Sequence, residues 1–190
     1  MKKHFFSFAA CTSALAVCAM LSSGCKSDNV ACSTSCSTPA ATQTPAAAPQ
    51  KVALKVVKAD SEETVGEDGK AANAVDGDPN THWHTQWQDP SPPCPHEIVI
   101  ELTPAATIKG FTYLPRQDDS ENGTIKGYEF YISNDGQDFG QPVAKGEWEN
   151  SKELKNVTFA PKACRFIKLK AVSEVNDGAW TSAAEIGVVQ

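Results

Sequence analysis

The most constraining feature of this chain is a two-residue alternation of apolar and polar side chains, which recurs in short stretches from Val52 to the C-terminus. In His96-Glu97-Ile98-Val99-Ile100-Glu101-Leu102 it places Ile98, Ile100 and Leu102 on one face, as a half-buried strand requires. Tyr128 to Ser133 alternates in the same way and runs into Asn134-Asp135-Gly136, residue types that favour a tight turn. Arg165 to Ala171 sets Ile167, Leu169 and Ala171 on one side, with Arg165, Lys168 and Lys170 interrupting the other, and Glu185-Ile186-Gly187-Val188 reads as a closing strand. No window keeps the spacing of an amphipathic helix. Short strands between turn clusters predict an all-β fold, a β-sandwich, over residues 52–190. A segment of that length can enclose its own core.

Ahead of this region the sequence changes character. Met1-Lys2-Lys3-His4 is basic, Phe5 to Met20 is apolar apart from small polar residues, and Leu21-Ser22-Ser23-Gly24-Cys25 supplies small residues before a cysteine. That order predicts an export signal over residues 1–24, and its apolar stretch is short for a membrane-spanning helix. Gly24-Cys25 resembles a lipobox, in which Cys25 becomes the acylated N-terminus, although Leu21 stands four residues before the cysteine where three is usual. The expected location is the cell envelope, on its periplasmic or outer side, as a membrane-anchored lipoprotein; secretion after conventional cleavage is the alternative. Residues 25–51 are rich in Ser, Thr, Ala and Pro with almost no large apolar side chain. Such a segment cannot offset its chain entropy by burial, so a disordered tether is expected.

Charge narrows the partners. Lys2 and Lys3 are two of 17 basic residues, so loss of the leader leaves 15 against 23 acidic ones, a net charge of −8. An acidic surface argues against nucleic acid and against an electrostatic grip on anionic lipid. Of seven cysteines, Cys11 and Cys18 leave with the signal and Cys25 is the lipidation candidate. Cys32 and Cys36 lie in the tether. Cys94 and Cys164 each precede a candidate strand, and a bridge between them is possible only if those strands are neighbours.

The punctuation between the strands is specific. Asn73-Ala74-Val75-Asp76-Gly77-Asp78-Pro79-Asn80-Thr81-His82-Trp83-His84-Thr85, then Pro95 to Leu102, Leu114-Pro115-Arg116-Gln117-Asp118, Tyr128 to Gly136 and Trp180-Thr181-Ser182-Ala183-Ala184-Glu185-Ile186 follow in order. This succession resembles the coagulation factor 5/8 type C (discoidin) domain over residues 59–189, which implies an all-β jelly-roll β-sandwich of the galactose-binding-like type. Within that family it is most similar to family 32 carbohydrate-binding modules and to the N-terminal sugar-binding domain of galactose oxidase.

The resemblance implies two sites. A structural calcium ion would be held by Asn73 and Ala184 through carbonyls and by Asp76, Asp78, Thr81 and Glu185, an all-oxygen set suited to a hard cation. The alternative is an Asx turn capped by its own side chains. A galactose-type sugar would be held by Glu67, His84, Trp87, Arg116 and Asn122, with Trp180 as a second aromatic wall. An aromatic face suits the apolar side of the ring, and charged groups suit its hydroxyls. Asn122 stands where some relatives carry an acid. The expected partner is a glycan bearing galactose or N-acetylgalactosamine.

Other readings compete. Trp83 is expected in the core, and Trp148 and Phe139 at sheet edges. Arg116 could instead be a salt-bridge partner of Asp118 or Glu121. His82 and His84 share a strand face, a weak zinc signal without a third ligand. Hydrolytic chemistry on glycosides needs two facing carboxylates, and Glu67 is the one acid expected in the sugar site. A non-catalytic binder is therefore expected, with a protein-interaction or envelope-scaffold role as the alternative. The stretch Gln86 to Pro93 lacks the large aliphatic cluster that a lipid-binding role would need.

Overall fold

The computed structural model describes residues 51–190. The signal segment, Cys25, Cys32, Cys36 and all of the tether but Lys51 lie outside the described residues. Eight strands make up the fold: β1 (Ala53–Ala59), β2 (Trp83–His84), β3 (His96–Leu114), β4 (Ile125–Ser133), β5 (Ala144–Glu147), β6 (Lys155–Glu174), β7 (Ser182–Ala183) and β8 (Glu185–Val189). A single 3₁₀ turn, Ala71–Val75, is the one helical element among the described residues. The larger sheet runs in the order β1-β3-β6-β4-β5, with β8 also on β3, and β2 and β7 form a small sheet of their own.

Two long strands make the sandwich. The first half of β3 pairs with β1 and with the end of β6, whereas its second half pairs with the start of β6 and with β8. A register shift between Glu101 and Ala106 separates the two halves. Beyond that break β3 returns over the sheet, so Phe111 stacks on Phe130 of β4 at 3.9 Å between ring centroids, and Tyr113 stacks on Trp148 at 5.0 Å. The fold is thus the all-β sandwich that the alternation predicts. Ile98, Ile100, Leu102, Phe130, Ile167, Leu169 and Ile186 are fully buried in one core. Trp83 joins them, its indole N–H donating to the Ser61 carbonyl at 2.9 Å. Trp148 packs on the core from beside β5, and Phe139 lies against the Lys168 ammonium at 4.7 Å.

The bridge between Cys94 and Cys164 is not formed; both are free thiols. Their strands are neighbours, but the antiparallel register sets His96 opposite Ala171, while Cys164 pairs with Ala106. Cys94 therefore lies beyond the far end of that pairing, roughly 25–30 Å along β6 from Cys164 at the usual rise per residue. The register excludes the bond.

Candidate functional site

The small β2–β7 sheet gathers four loops at one end of the sandwich. His84 pairs with Ser182, and beyond that pair Thr85 N–H donates to Thr181 O at 2.9 Å while Thr181 N–H donates to Thr85 Oγ1 at 2.8 Å. These bonds set the chain leading to Trp87 beside the chain leading from Trp180. On the other side of β2, Glu63 N–H donates to His84 O at 2.8 Å and His84 N–H to Gly69 O at 3.1 Å, which docks the loop carrying Glu67. The loop after β3 joins through Ser182, whose N–H donates to Gly123 O at 2.7 Å and whose hydroxyl donates to Asn122 O at 3.0 Å. Gly123 has φ +83°, and a Cβ there would stand 2.7 Å from Ser182 N, so the position admits glycine alone without rearrangement.

One cavity of about 250 Å³ opens between these loops, lined by Glu67, His84, Trp87, Arg116, Ser120, Asn122 and Trp180. All six residues singled out from the sequence for sugar contact line it, drawn from positions 67 to 180 of the chain. Ser120 is an addition that no sequence signal marked.

The charged groups are held by their neighbours. Arg116 is 7% exposed. Its Nε donates to Asp118 Oδ1 at 2.7 Å and its Nη2 to Asp118 Oδ2 at 2.5 Å, a two-pronged clasp that fixes the guanidinium plane. Nη1 reaches Asn122 O only at 3.4 Å. The Asp118 salt bridge weighed as an alternative use of Arg116 and the pocket position are therefore both real, and the first orients the second. The hydrogen bond from Arg116 holds the Asp118 carboxyl below its ordinary range.

His84 is buried, and its Nδ1 lies 2.6 Å from Thr85 O. A carbonyl only accepts, so Nδ1 carries the proton and Nε2 is left as an acceptor. Burial, with Arg116 nearby, lowers the pKa of both His82 and His84, so both rings are neutral at pH 7. His82 Nε2 and His84 Nδ1 each stand 3.7 Å from a Glu67 oxygen. Glu67 Oε1 also accepts the Trp87 indole N–H at 3.0 Å. Trp87 is 38% exposed at the rim. Trp180 donates its indole N–H to Ser91 Oγ at 2.9 Å. Across the cavity, then, are two aromatic rings, one fixed cation, one carboxylate and a neutral imidazole.

No motif in the sequence marks Glu63. It is buried beneath the same loops, and its carboxylate accepts four backbone N–H groups, from Val65 at 2.8 Å, Gly66 at 2.9 Å, Trp87 at 3.1 Å and Gln88 at 3.1 Å. Gly66, Val65, Gln88 and Trp87 together draw its pKa down to about 2.

The second expected site lies in the 73–81 loop and at the start of β8. Asp76 Oδ1 accepts Asp78 N–H and its Oδ2 accepts the Thr81 hydroxyl, both at 2.8 Å. Asp78 Oδ1 accepts Asn80 N–H at 2.9 Å and the Asn80 side-chain amide at 2.7 Å. The side-chain amide of Asn73 donates to Asp68 O at 2.8 Å and to His82 O at 3.2 Å. The Asx turn thus satisfies many of its own groups, and among the described residues no three Asp, Glu, His or Cys side chains converge at metal-ligand spacing. Glu185 is the exception to that self-sufficiency. Its Oε1 is buried without a hydrogen-bond partner. Burial and the nearby Asp76 and Asp78 carboxylates push its pKa up, against the Gly77 N–H.

A β-sandwich of this topology, with its pocket among the loops at one end, defines a class. The family model of the F5/8 type C domain matches residues 57–186, and the chain belongs to that family. Two solved relatives are family 32 carbohydrate-binding modules of Clostridium perfringens. One, in complex with GalNAc-β-1,3-galactose, is 38% identical with a TM-score of 0.66, over 72% of this chain and 95% of that one. The other, from NanJ in complex with galactose, is 33% identical with a TM-score of 0.62, over 71% and 92%. Among curated proteins, galactose oxidase of Gibberella zeae is 41% identical over 120 residues, 62% of this chain and 17% of the oxidase. A sialidase of Micromonospora viridifaciens is 38% identical over 136 residues, 71% of this chain and 21% of the sialidase. The chain spans only about a fifth of such relatives.

Proposed function

We propose that this protein binds carbohydrate without transforming it, and that its ligand is a terminal galactose or N-acetylgalactosamine of a glycan. The observation that carries the reading is the shared cavity of Glu67, His84, Trp87, Arg116, Asn122 and Trp180, in a domain whose relatives are seen with galactose and with GalNAc-β-1,3-galactose. Trp87 offers a ring face to the apolar side of the sugar ring. The Arg116 N–H groups not held by Asp118 donate to ring hydroxyls, while Glu67 and His84 Nε2 accept from others. Each such bond to the Arg116 cation or the Glu67 carboxylate adds about 1.5–3 kcal/mol, and the one to the neutral His84 ring about 0.5–1.5 kcal/mol. The cavity holds one sugar, so affinity in the millimolar to high-micromolar range is expected, about 4–6 kcal/mol. Glu67 is the one carboxylate on the cavity wall, whereas glycoside hydrolysis uses a facing pair.

Calcium is part of the same proposal. The orphaned Glu185 Oε1 beside Asp76 fits a bound cation better than an empty turn. Asp76, Asp78, Thr81 and Glu185, with the carbonyls of Asn73 and Ala184, would hold it. The ion would supply charge neutralisation between that loop and β8. Attachment through Cys25 to a membrane of the cell envelope would put many copies on one surface, and multivalency would then offset weak single-site affinity.

The test is a glycan array probed with wild type and with Arg116→Ala, each with and without a chelator. Binding to terminal galactose or N-acetylgalactosamine that disappears in the variant is the expected result. No glycan binding by a folded wild type would overturn the proposal in favour of a protein-interaction role.

A further inference from the structure

We infer that Glu63, which lies outside the cavity, is the positioning residue that sets the aromatic wall in place before a ligand arrives; the inference rests on the sugar-binding reading above. Its side chain joins two segments that are otherwise separate in the chain. Oε1 accepts from Val65 and Gly66, immediately before Glu67, and Oε2 accepts from Trp87 and Gln88. Four donors converge on two oxygens, an arrangement only an ionised carboxylate satisfies, because an amide or a carboxylic acid would turn a donor of its own toward one pair. The residue is 1% exposed, so water cannot replace the missing acceptor.

Two further contacts close the same unit. The Trp87 indole N–H reaches Glu67 Oε1 at 3.0 Å. The Trp87 ring also lies so close to Gly66 that a Cβ there would be 2.4 Å from Cζ2. Glu63 thus fixes the backbone on both sides, and these contacts fix the ring. The need is evident from the ring's surroundings: Trp87 is 38% exposed and follows the end of β2 by three residues, so neither core packing nor strand pairing holds it. A ring ordered in advance loses less freedom on binding, and affinity gains by that amount.

The test uses the full chain with Glu63→Gln, which keeps shape and volume but turns an NH₂ toward one pair of backbone donors. Methyl β-galactoside is titrated calorimetrically, and the order of the Trp87 indole N–H is measured by ¹⁵N relaxation without ligand. The expected result is a Kd raised about tenfold together with a more mobile Trp87 indole in the ligand-free variant. A Kd within about twofold of wild type, or a raised Kd with Trp87 as ordered as before, would overturn the inference. Should Glu63→Gln fail to fold, Gln88→Pro removes one donor of the same clamp at an exposed position. It should shift both readouts in the same direction, and no shift in either would be equally fatal. A wild type that does not bind the galactoside contradicts the sugar-binding reading itself.

Discussion

At the scale of single residues, three side chains of the cavity are fixed by their hydrogen-bond partners. Asp118 orients Arg116, the Thr85 carbonyl selects the tautomer of His84, and Glu67 receives the Trp87 indole. The residues facing the cavity were legible in the sequence through family likeness, because their spacing along the chain follows the order of the strands. Of the groups behind them, the sequence marks Asp118, as a salt-bridge partner for Arg116, and does not mark Glu63. Ser61-Glu62-Glu63-Thr64 reads as a solvated loop, since acids are seldom buried, and the four donors that make Glu63 buriable come from both sides of a gap of about twenty residues that only the fold closes. Gly66 was equally silent, and it yields a sharp expectation. In Gly66→Ala the new methyl meets Trp87 Cζ2 at 2.4 Å, so the ring must swing away. Calorimetry should show galactose affinity falling about tenfold, near 1.4 kcal/mol, while the melting temperature stays within about a degree or two because both groups lie at the surface.

At the scale of elements, alternation marks the regular parts of the strands, and their irregular parts carry no such signal. Ile98, Ile100 and Leu102 announce the first half of β3, but Thr103, Pro104 and Ala105 are exposed where the strand passes between layers, and they hide its continuation to Leu114. Likewise β6 begins at Lys155, ten residues before the stretch that alternates most clearly. A further tie between elements involves His96 at the start of β3. Its Nδ1 lies 2.8 Å from Asp60 Oδ2, and its Nε2 lies 3.2 Å from Pro92 O and 2.9 Å from Ala179 O, next to Trp180. Both ring nitrogens face acceptors, so the imidazolium is the species that fits. Burial alone would lower its pKa, but the Asp60 hydrogen bond, the two carbonyls and the Asp60 charge raise it above 6.5. Burial likewise works against Asp60, yet the His96 bond, the Glu97 N–H and the His96 charge hold it below 3.8. The His96 contribution is therefore complete below pH 6.5 and is lost as pH rises through the folded-state value; that of Asp60 is present above 3.8 and lost as pH falls through its own. A melting-temperature profile should decline on the alkaline side of pH 6.5 in wild type, and His96→Asn should remove that decline. An unchanged slope in the variant would locate the titration elsewhere.

At the scale of the whole molecule, the sandwich carries the cavity among loops at one end, and the 73–81 loop is braced against the start of β8 through Glu185, which lies beside Asp76 and Gly77. If calcium completes that brace, saturating it should stabilise the fold by about 3 kcal/mol at a hundredfold excess over Kd, a rise of very roughly 10 °C for a domain of this size. Thermal melts in calcium and in chelator read this directly, and Glu185→Gln should abolish the difference. Identical melts would leave the loop as a self-capped Asx turn.

Four tryptophans report separately on where a sugar lies. Trp87 and Trp180 line the cavity, Trp83 is sealed in the core and Trp148 packs beside β5. The most direct measurement is a galactose titration followed by the indole N–H signals of the ¹⁵N-labelled protein. Saturable shifts of Trp87 and Trp180 are expected, with Trp83 and Trp148 unmoved; shifts confined to other residues, or none up to high millimolar galactose, would place the sugar elsewhere.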